Sequence, residues 1–213
     1  MKFADFLNEA PLPDNWDKAN FNNGTFKSMI EYATAMSEKV GSGSSRVAFK
    51  IPYKGRDTVL KVAKNKKGIA QNKEEMQYLY DGYIQEMGIV IPIIDHDEYN
   101  NDAKWIHTEM AEKIKPYYFK KETGVDLADL VDYCYNSVTR HRILTPVQEE
   151  SIEEHIDHDS DLVMNLTDLF HQWPEIGHGD LKRIANWGLY KGKAVILDLG
   201  FNSVSAKLYG FRL

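Results

Sequence analysis

The sequence predicts an α+β fold, with strands gathered in the first half and helices in the second. Three features carry this expectation. Residues 39–63 alternate apolar and polar side chains with period two. Residues 127–170 place apolar side chains three and four apart. Two short strand-like runs follow near Trp187 and Ala194. Strands first and helices second is the order of an α+β protein.

Taken in order, the opening from Met1 to Asn23 has an apolar triplet, Phe3, Phe6 and Leu7, then Pro11, Pro13 and an Asn-rich turn; it reads as a short helix and an irregular arm. Phe26, Met29, Ile30 and Ala33 have helical spacing, with Thr25 or Asn23 as the cap. Three strands are expected across residues 39–63. Val47, Phe49 and Ile51 alternate with Ala48 and Lys50, a turn surrounds Gly55, and the third strand runs from Thr58 to Ala63. A basic loop with Gly68 follows, then a helix carrying Met76, Leu79, Tyr80 and Tyr83. Residues 90–94 read as a short apolar strand, 95–102 as a polar hairpin loop and 104–110 as another strand. Leu127, Leu130, Val131 and Cys134 share one helix face. Thr145-Pro146-Val147-Gln148 has the form of a helix start, with a Thr cap, Pro at the first position and Gln at the reciprocal site. Leu162, Val163, Leu166, Leu169 and Phe170 define an amphipathic helix. Strands at 187–190 and 194–197 are joined by a turn at Gly192.

Composition sets the class. With 43% hydrophobic and 27% charged residues, an ordinary soluble globular protein is expected. The net charge of −6 argues against a whole-surface nucleic-acid binder. Cys134 is the single cysteine, so no intramolecular disulfide forms. The opening residues carry an early acid and no long apolar core, and no run is long enough to span a bilayer. A cytoplasmic protein without membrane partners is expected.

Three clusters carry chemistry. In Val40-Gly41-Ser42-Gly43-Ser44-Ser45-Arg46-Val47-Ala48, two glycines between strands let backbone N–H groups approach a phosphate, although such a turn is by itself most often a hairpin. Lys61 lies mid-strand between apolar neighbours; as a phosphate-binding ammonium it needs a carboxylate to hold it. The following helix offers Glu74 and Glu75. Glu75 falls on the apolar, inward face, three after Asn72 and four before Leu79, while Glu74 projects with Tyr78 and Asp81. The third cluster is His178-Gly179-Asp180-Leu181-Lys182 through Asn186, followed by Leu197-Asp198-Leu199-Gly200. Two carboxylates and an amide at strand ends can orient a hydroxyl and hold Mg²⁺ through hard oxygen ligands.

In this order, from Val40 to Gly200, the clusters resemble the protein-kinase-like superfamily, and the run Val59 to Asn72 with the short length also resembles compact kinase-like proteins of bacteriophages and bacteria. The resemblance implies a bilobal fold. Residues 1–36 would be an N-terminal arm and helix, 37–112 an N-lobe of antiparallel sheet with one helix, and 113–213 a reduced helical C-lobe. It implies ATP and Mg²⁺ as cofactors. Gly41, Ser42, Gly43 and Ser44 would cover the phosphates, and Ala48 and Val59 the adenine. The strand-end run Thr108-Glu109-Met110-Ala111 would read the adenine edge through the backbone of Glu109 and Ala111. Lys61 matches the strand lysine and Glu75 its helix glutamate. Asp180 matches the catalytic base, Lys182 the lysine two residues on, and Asn186 and Asp198 the metal ligands. The implied activity is transfer of the ATP γ-phosphate to a protein or small-molecule hydroxyl. The alternative is a catalytically weak or inactive ATP-binding protein that acts through a protein partner.

The pattern departs from the family in three places. Arg46 stands at the third glycine, where it would put a cation near the phosphates. Asp180 and Asn186 are six apart, one more than the family's usual spacing. The chain ends at Leu213, shortly after Gly200, so no phosphorylation-controlled activation segment is expected. Asp95-His96-Asp97-Glu98 and the pair His155 and His158 read as solvated acidic stretches rather than metal sites. Cys134 reads as core filler.

Overall fold

The computed structural model describes residues 12–13, 15–17, 21–97, 102–139 and 142–199. Phe3, Phe6, Leu7, Pro11 and Gly200 lie outside them. In chain order the elements are α1 (Phe26–Met36), β1 (Glu38–Ser42), β2 (Arg46–Tyr53), β3 (Arg56–Ala63), α2 (Lys66–Tyr80), α3 (Gly82–Met87), β4 (Ile93–His96) and β5 (Trp105–Glu109). There follow β6 (Glu112–Lys113), α4 (Pro116–Thr123), α5 (Leu127–Val138), α6 (Pro146–Glu153), α7 (Asp161–Gln172), α8 (His178–Leu181), β7 (Trp187–Tyr190) and β8 (Lys193–Ile196). The protein is α+β, and its five-stranded sheet, of order β1-β2-β3-β5-β4, is antiparallel throughout. Two compact units result. The first holds the described residues up to Leu79 with Pro92–Met110; the second holds Tyr80–Ile91 and the described residues from Ala111.

In the first unit the period-two alternation buries one sheet face. Val47, Phe49, Ile51, Leu60, Val62 and Trp105 pack with Met29 and Ala33 of α1 and with Leu12, Trp16 and Phe21 of the preceding arm. The arm is therefore part of the core: Trp16 meets Phe21 and Tyr32 edge-on, and Trp105 Nε1 donates to Asn22 Oδ1 at 2.9 Å. Thr25 caps α1, accepting from the Ser28 amide at 3.2 Å.

Several local expectations are corrected. Gly68 lies in the first turn of α2 rather than in a loop, because Asn65 Oδ1 accepts from the amides of Lys67 and Gly68 and starts the helix. Glycine is needed there because a Cβ would stand 2.3 Å from the Ser45 carbonyl oxygen. The helix does not run on to Tyr83: Asp81 caps a separate α3, accepting from the Tyr83 amide at 3.0 Å. The fourth strand begins at Ile93 and extends to His96, while Val90 makes a parallel bridge to Ile196.

In the second unit α5 and α7 pack through Leu130, Val131 and Cys134 against Val163, Leu166, Leu169 and Phe170, all buried. The Thr145–Gln148 capping box forms in both directions. β6, β7 and β8 make a three-stranded antiparallel sheet. β8 starts at Lys193 and stops at Ile196; the Leu197 amide instead donates to the Asn186 carbonyl at 2.7 Å. No helix among the described residues is long and apolar enough to cross a membrane.

Candidate functional site

Opposite residues of antiparallel neighbours share a sheet face. The register sets Gly41, Ala48, Lys61 and Ile106 in one row across four strands, with Lys50, Val59 and Thr108 in another. This face is opposite the one that α1 covers. Ala48, Val59 and Lys61 are half-buried on it. Gly41 leaves room: a Cβ there would meet only Ala48 Cβ, at 3.6 Å. Gly41, Ala48 and Val59 thus put small residues beside Lys61 on this face.

Lys61 Nζ meets Glu75 Oε1 of α2 at 2.5 Å, and the two side chains are only 12% and 3% exposed. Glu75 is thus a partner of the lysine, as its helix position predicts. Glu74 does not project outward, however; it is 6% exposed, since α2 also buries Gln71 and Asn72. Arg46 has partners that the local sequence does not disclose. It pairs with the other Glu75 oxygen, Oε2, and donates to Asn72 Oδ1 at 3.1 Å. The reason is register: Arg46 opens β2 opposite Ala63, on the same face as Lys61.

The glycine turn itself is anchored. The Gly43 amide donates to the Arg46 carbonyl at 2.9 Å. Lys64 Nζ donates to the Gly43 carbonyl at 2.9 Å, and Asn65 Nδ2 to that of Ser44 at 3.3 Å. Ser42 and Ser44 are exposed. At the end of β5 the Glu109 amide donates to the Pro92 carbonyl at 2.9 Å, and its carboxylate takes two hydrogen bonds from Arg56. Ala111 belongs to the second unit, packed where a Cβ on Gly188 would come within 2.6 Å of it.

In the second unit Asp180 sits on the one-turn helix α8, half-buried. Burial pushes its carboxyl above the usual range; Arg183, with NH1 at 3.4 Å, opposes the rise, and the charge of Asp198 adds to it. Asp180 and Asp198 are thus brought within electrostatic reach of each other. A 3₁₀ turn, Ile184–Asn186, lies between Asp180 and the following strand, and Asn186 Nδ2 donates to the Asp180 carbonyl at 2.9 Å. That orientation makes Oδ1 the atom Asn186 can offer a cation. Lys182 forms an ion pair with Asp132 of α5, and the His178 ring stacks on Tyr135 of the same helix at 4.2 Å.

Sequence reasoning missed Asn72, Asp132 and Tyr135. Each acts across the chain rather than within a local motif, and the apolar stripe of α5 gave no sign of Asp132 or Tyr135. Among the described residues no group of three or more His, Cys, Asp or Glu gathers to hold a metal. His158 pairs with Glu153, and His155 bonds the Ser151 carbonyl. Glu98 lies outside the described residues. No protein-family model matches the chain, and no curated protein matches it.

Proposed function

We propose that the chain is an ATP- and Mg²⁺-dependent phosphotransferase of the bilobal protein-kinase-like fold. The observation that carries this is the buried Lys61–Glu75 pair, which joins the third strand to the following helix. A lysine on a strand face needs no such partner to face solvent. A carboxylate brought to it at low exposure holds the ammonium at a set place, where it would meet phosphate oxygens. The open space above Gly41 and Gly43 supports close approach of a ligand to that turn, since neither glycine has a positive φ or a clash to explain it. Ser42 and Ser44 would offer their N–H groups and hydroxyls to the phosphates. Ala48 and Val59 would lie against the adenine, with the backbone of Glu109 and Ala111 at its edge.

Asp198 and Asn186 supply hard oxygen donors that suit Mg²⁺, which keeps waters and substrate phosphates among its ligands and so needs few from the protein. Bound there, the metal would offset charge on the phosphates. Asp180, with its raised carboxyl, would accept or orient the acceptor hydroxyl. Lys182 would face the transferred phosphoryl group. Catalysis would come from positioning and electrostatics rather than covalent chemistry. The acceptor is a protein or small-molecule hydroxyl.

A second reading is a weakly active ATP-binding protein that acts through a protein partner. The Lys182–Asp132 ion pair favours it, because it engages the ammonium assigned to the transition state. Labelled ATP separates the two. Under the enzyme reading, γ-labelled but not α-labelled ATP passes label to a substrate in host lysate, and Asp180→Asn stops transfer while ATP still raises the unfolding midpoint. ATP binding without transfer to any fraction would support the partner reading. No midpoint shift with ATP and Mg²⁺ would defeat both.

A further inference from the structure

Glu75 can hold Lys61 only if α2 is itself held, and the sheet grips α2 at successive turns. The Ser45 hydroxyl donates to Gln71, Arg46 NH1 donates to Asn72 Oδ1 at 3.1 Å and also pairs with Glu75, and Asn72 Nδ2 donates to the Ala103 carbonyl at 2.6 Å. Ser45, Arg46, Gln71, Asn72 and Glu75 are all buried. Asn72 and Glu75 are three apart on one helix face, so a single planar guanidinium serves both. A glycine at position 46 would strand two buried acceptors, which is costly. A lysine, a point donor on a flexible stem, serves such a fork poorly.

We propose that Arg46 is a positioning residue that fixes Glu75 on α2, and through it Lys61. The same ties join the glycine turn to α2, because Ser45 and Arg46 follow directly on Gly43 and Ser44. The proposal rests on the reading of Lys61 as a phosphate-binding group, and its test distinguishes the two.

The test uses the full chain and its Arg46→Met, Arg46→Lys, Glu75→Gln and Lys61→Met variants, with the double variant of Arg46→Met and Glu75→Gln. Hydrogen exchange is read at the α2 amides of residues 71–76, with the α5 amides of residues 130–134 as internal reference. Arg46→Met raises exchange in α2 by about tenfold or more without a matching change in α5, and Arg46→Lys restores part of the protection. ATP·Mg affinity falls by about tenfold in Arg46→Met. Because Arg46 acts through Glu75, the double variant binds ATP no more than about twofold worse than Glu75→Gln alone. Full additivity, or α2 exchange unchanged in Arg46→Met, overturns the proposal. If Arg46→Met fails to fold, Arg46→Lys supplies the comparison. If wild type binds no ATP, or Lys61→Met binds as well as wild type, the phosphotransferase reading fails, while α2 exchange still decides whether Arg46 fixes the helix.

Discussion

Lys61 in the first unit and Lys182 in the second each meet a carboxylate from a helix, but at different depths. The Lys61–Glu75 side chains are 12% and 3% exposed and share their carboxylate with a second buried cation. The Lys182–Asp132 side chains are 32% and 19% exposed and form a simple pair. Around Lys61, charge is enclosed and must be balanced for the unit to fold. Around Asp180, Asp198 and Lys182, water still contributes, and groups can change protonation or partner at small cost. The proposed reaction would place a phosphate-binding cation in the first environment and a proton-accepting carboxylate in the second.

The largest effect should come from the enclosed side. Glu75→Gln leaves Arg46 and Lys61 buried without their shared anion, a change of the kind that costs about 3–5 kcal/mol. Urea unfolding followed by exchange in the first unit measures it. A loss near 1 kcal/mol or less would mean that the network is wetter than the burial of Arg46 and Glu75 indicates.

Acid should break the two regions in opposite directions. His107 is fully buried beside Thr58, and burial lowers its pKa to about 4 from 6.5. The unfolded chain then takes a proton that the folded one refuses. The first unit loses stability as pH falls from 6.5 to about 4, by at most about 3 kcal/mol. Asp180 has the reverse sign: its raised carboxyl binds a proton more readily when folded, so acidification favours the second unit at this group. Exchange at the β3 and α5 amides between pH 7 and 4.5 compares the units. His107→Asn should flatten the acid loss in the first, and equal acid sensitivity in wild type and variant would show that another group carries it.

Much of this contrast was legible in the sequence. Period-two alternation gave β2 and β3. Helical spacing chose Glu75 as the lysine's partner, and local cap chemistry gave the start of α6 residue by residue. What escaped depends on contacts between distant segments. Arg46 looked like a loop cation because its place on the buried side is set by pairing with β3 and by Asn72, which the local sequence does not disclose. Gly68 looked like a loop residue because the approach to Ser45 that requires it is tertiary. Residues 90–94 looked like one strand because an apolar run carries no mark of which sheet each residue joins. The arm around Trp16 and Phe21 looked irregular, yet its aromatic side chains complete the core.

The partly open pair should yield a smaller effect. Asp132→Asn removes one partner of Lys182 at intermediate exposure, worth about 1 kcal/mol of stability. Its effect on transfer sharpens the comparison. If Asp132 only holds Lys182 ready, label transfer falls. If it restrains Lys182 from the phosphoryl group, transfer rises while ATP affinity stays within about twofold. An unchanged rate would remove Lys182 from the chemistry.

The smallest stability effect should come from the residue to which the proposed reaction assigns its base. Asp180→Asn is nearly isosteric, and the amide carries none of the charge that Asp198 opposes. Stability at pH 7 should therefore change by less than about 0.5 kcal/mol, with any change upward, although the lost ion pair with Arg183 trims the gain. The bond from Asn186 Nδ2 to the residue-180 carbonyl is to backbone and survives the substitution. Label transfer should nonetheless fall by about a hundredfold or more, the usual worth of a positioned general base. A variant that is both stable and inactive would separate this loop from the Lys61 network, where loss of charge balance and loss of function arrive together. A variant that unfolds would place Asp180 among the structural charges, and one that transfers phosphate at the wild-type rate would assign the base to another group.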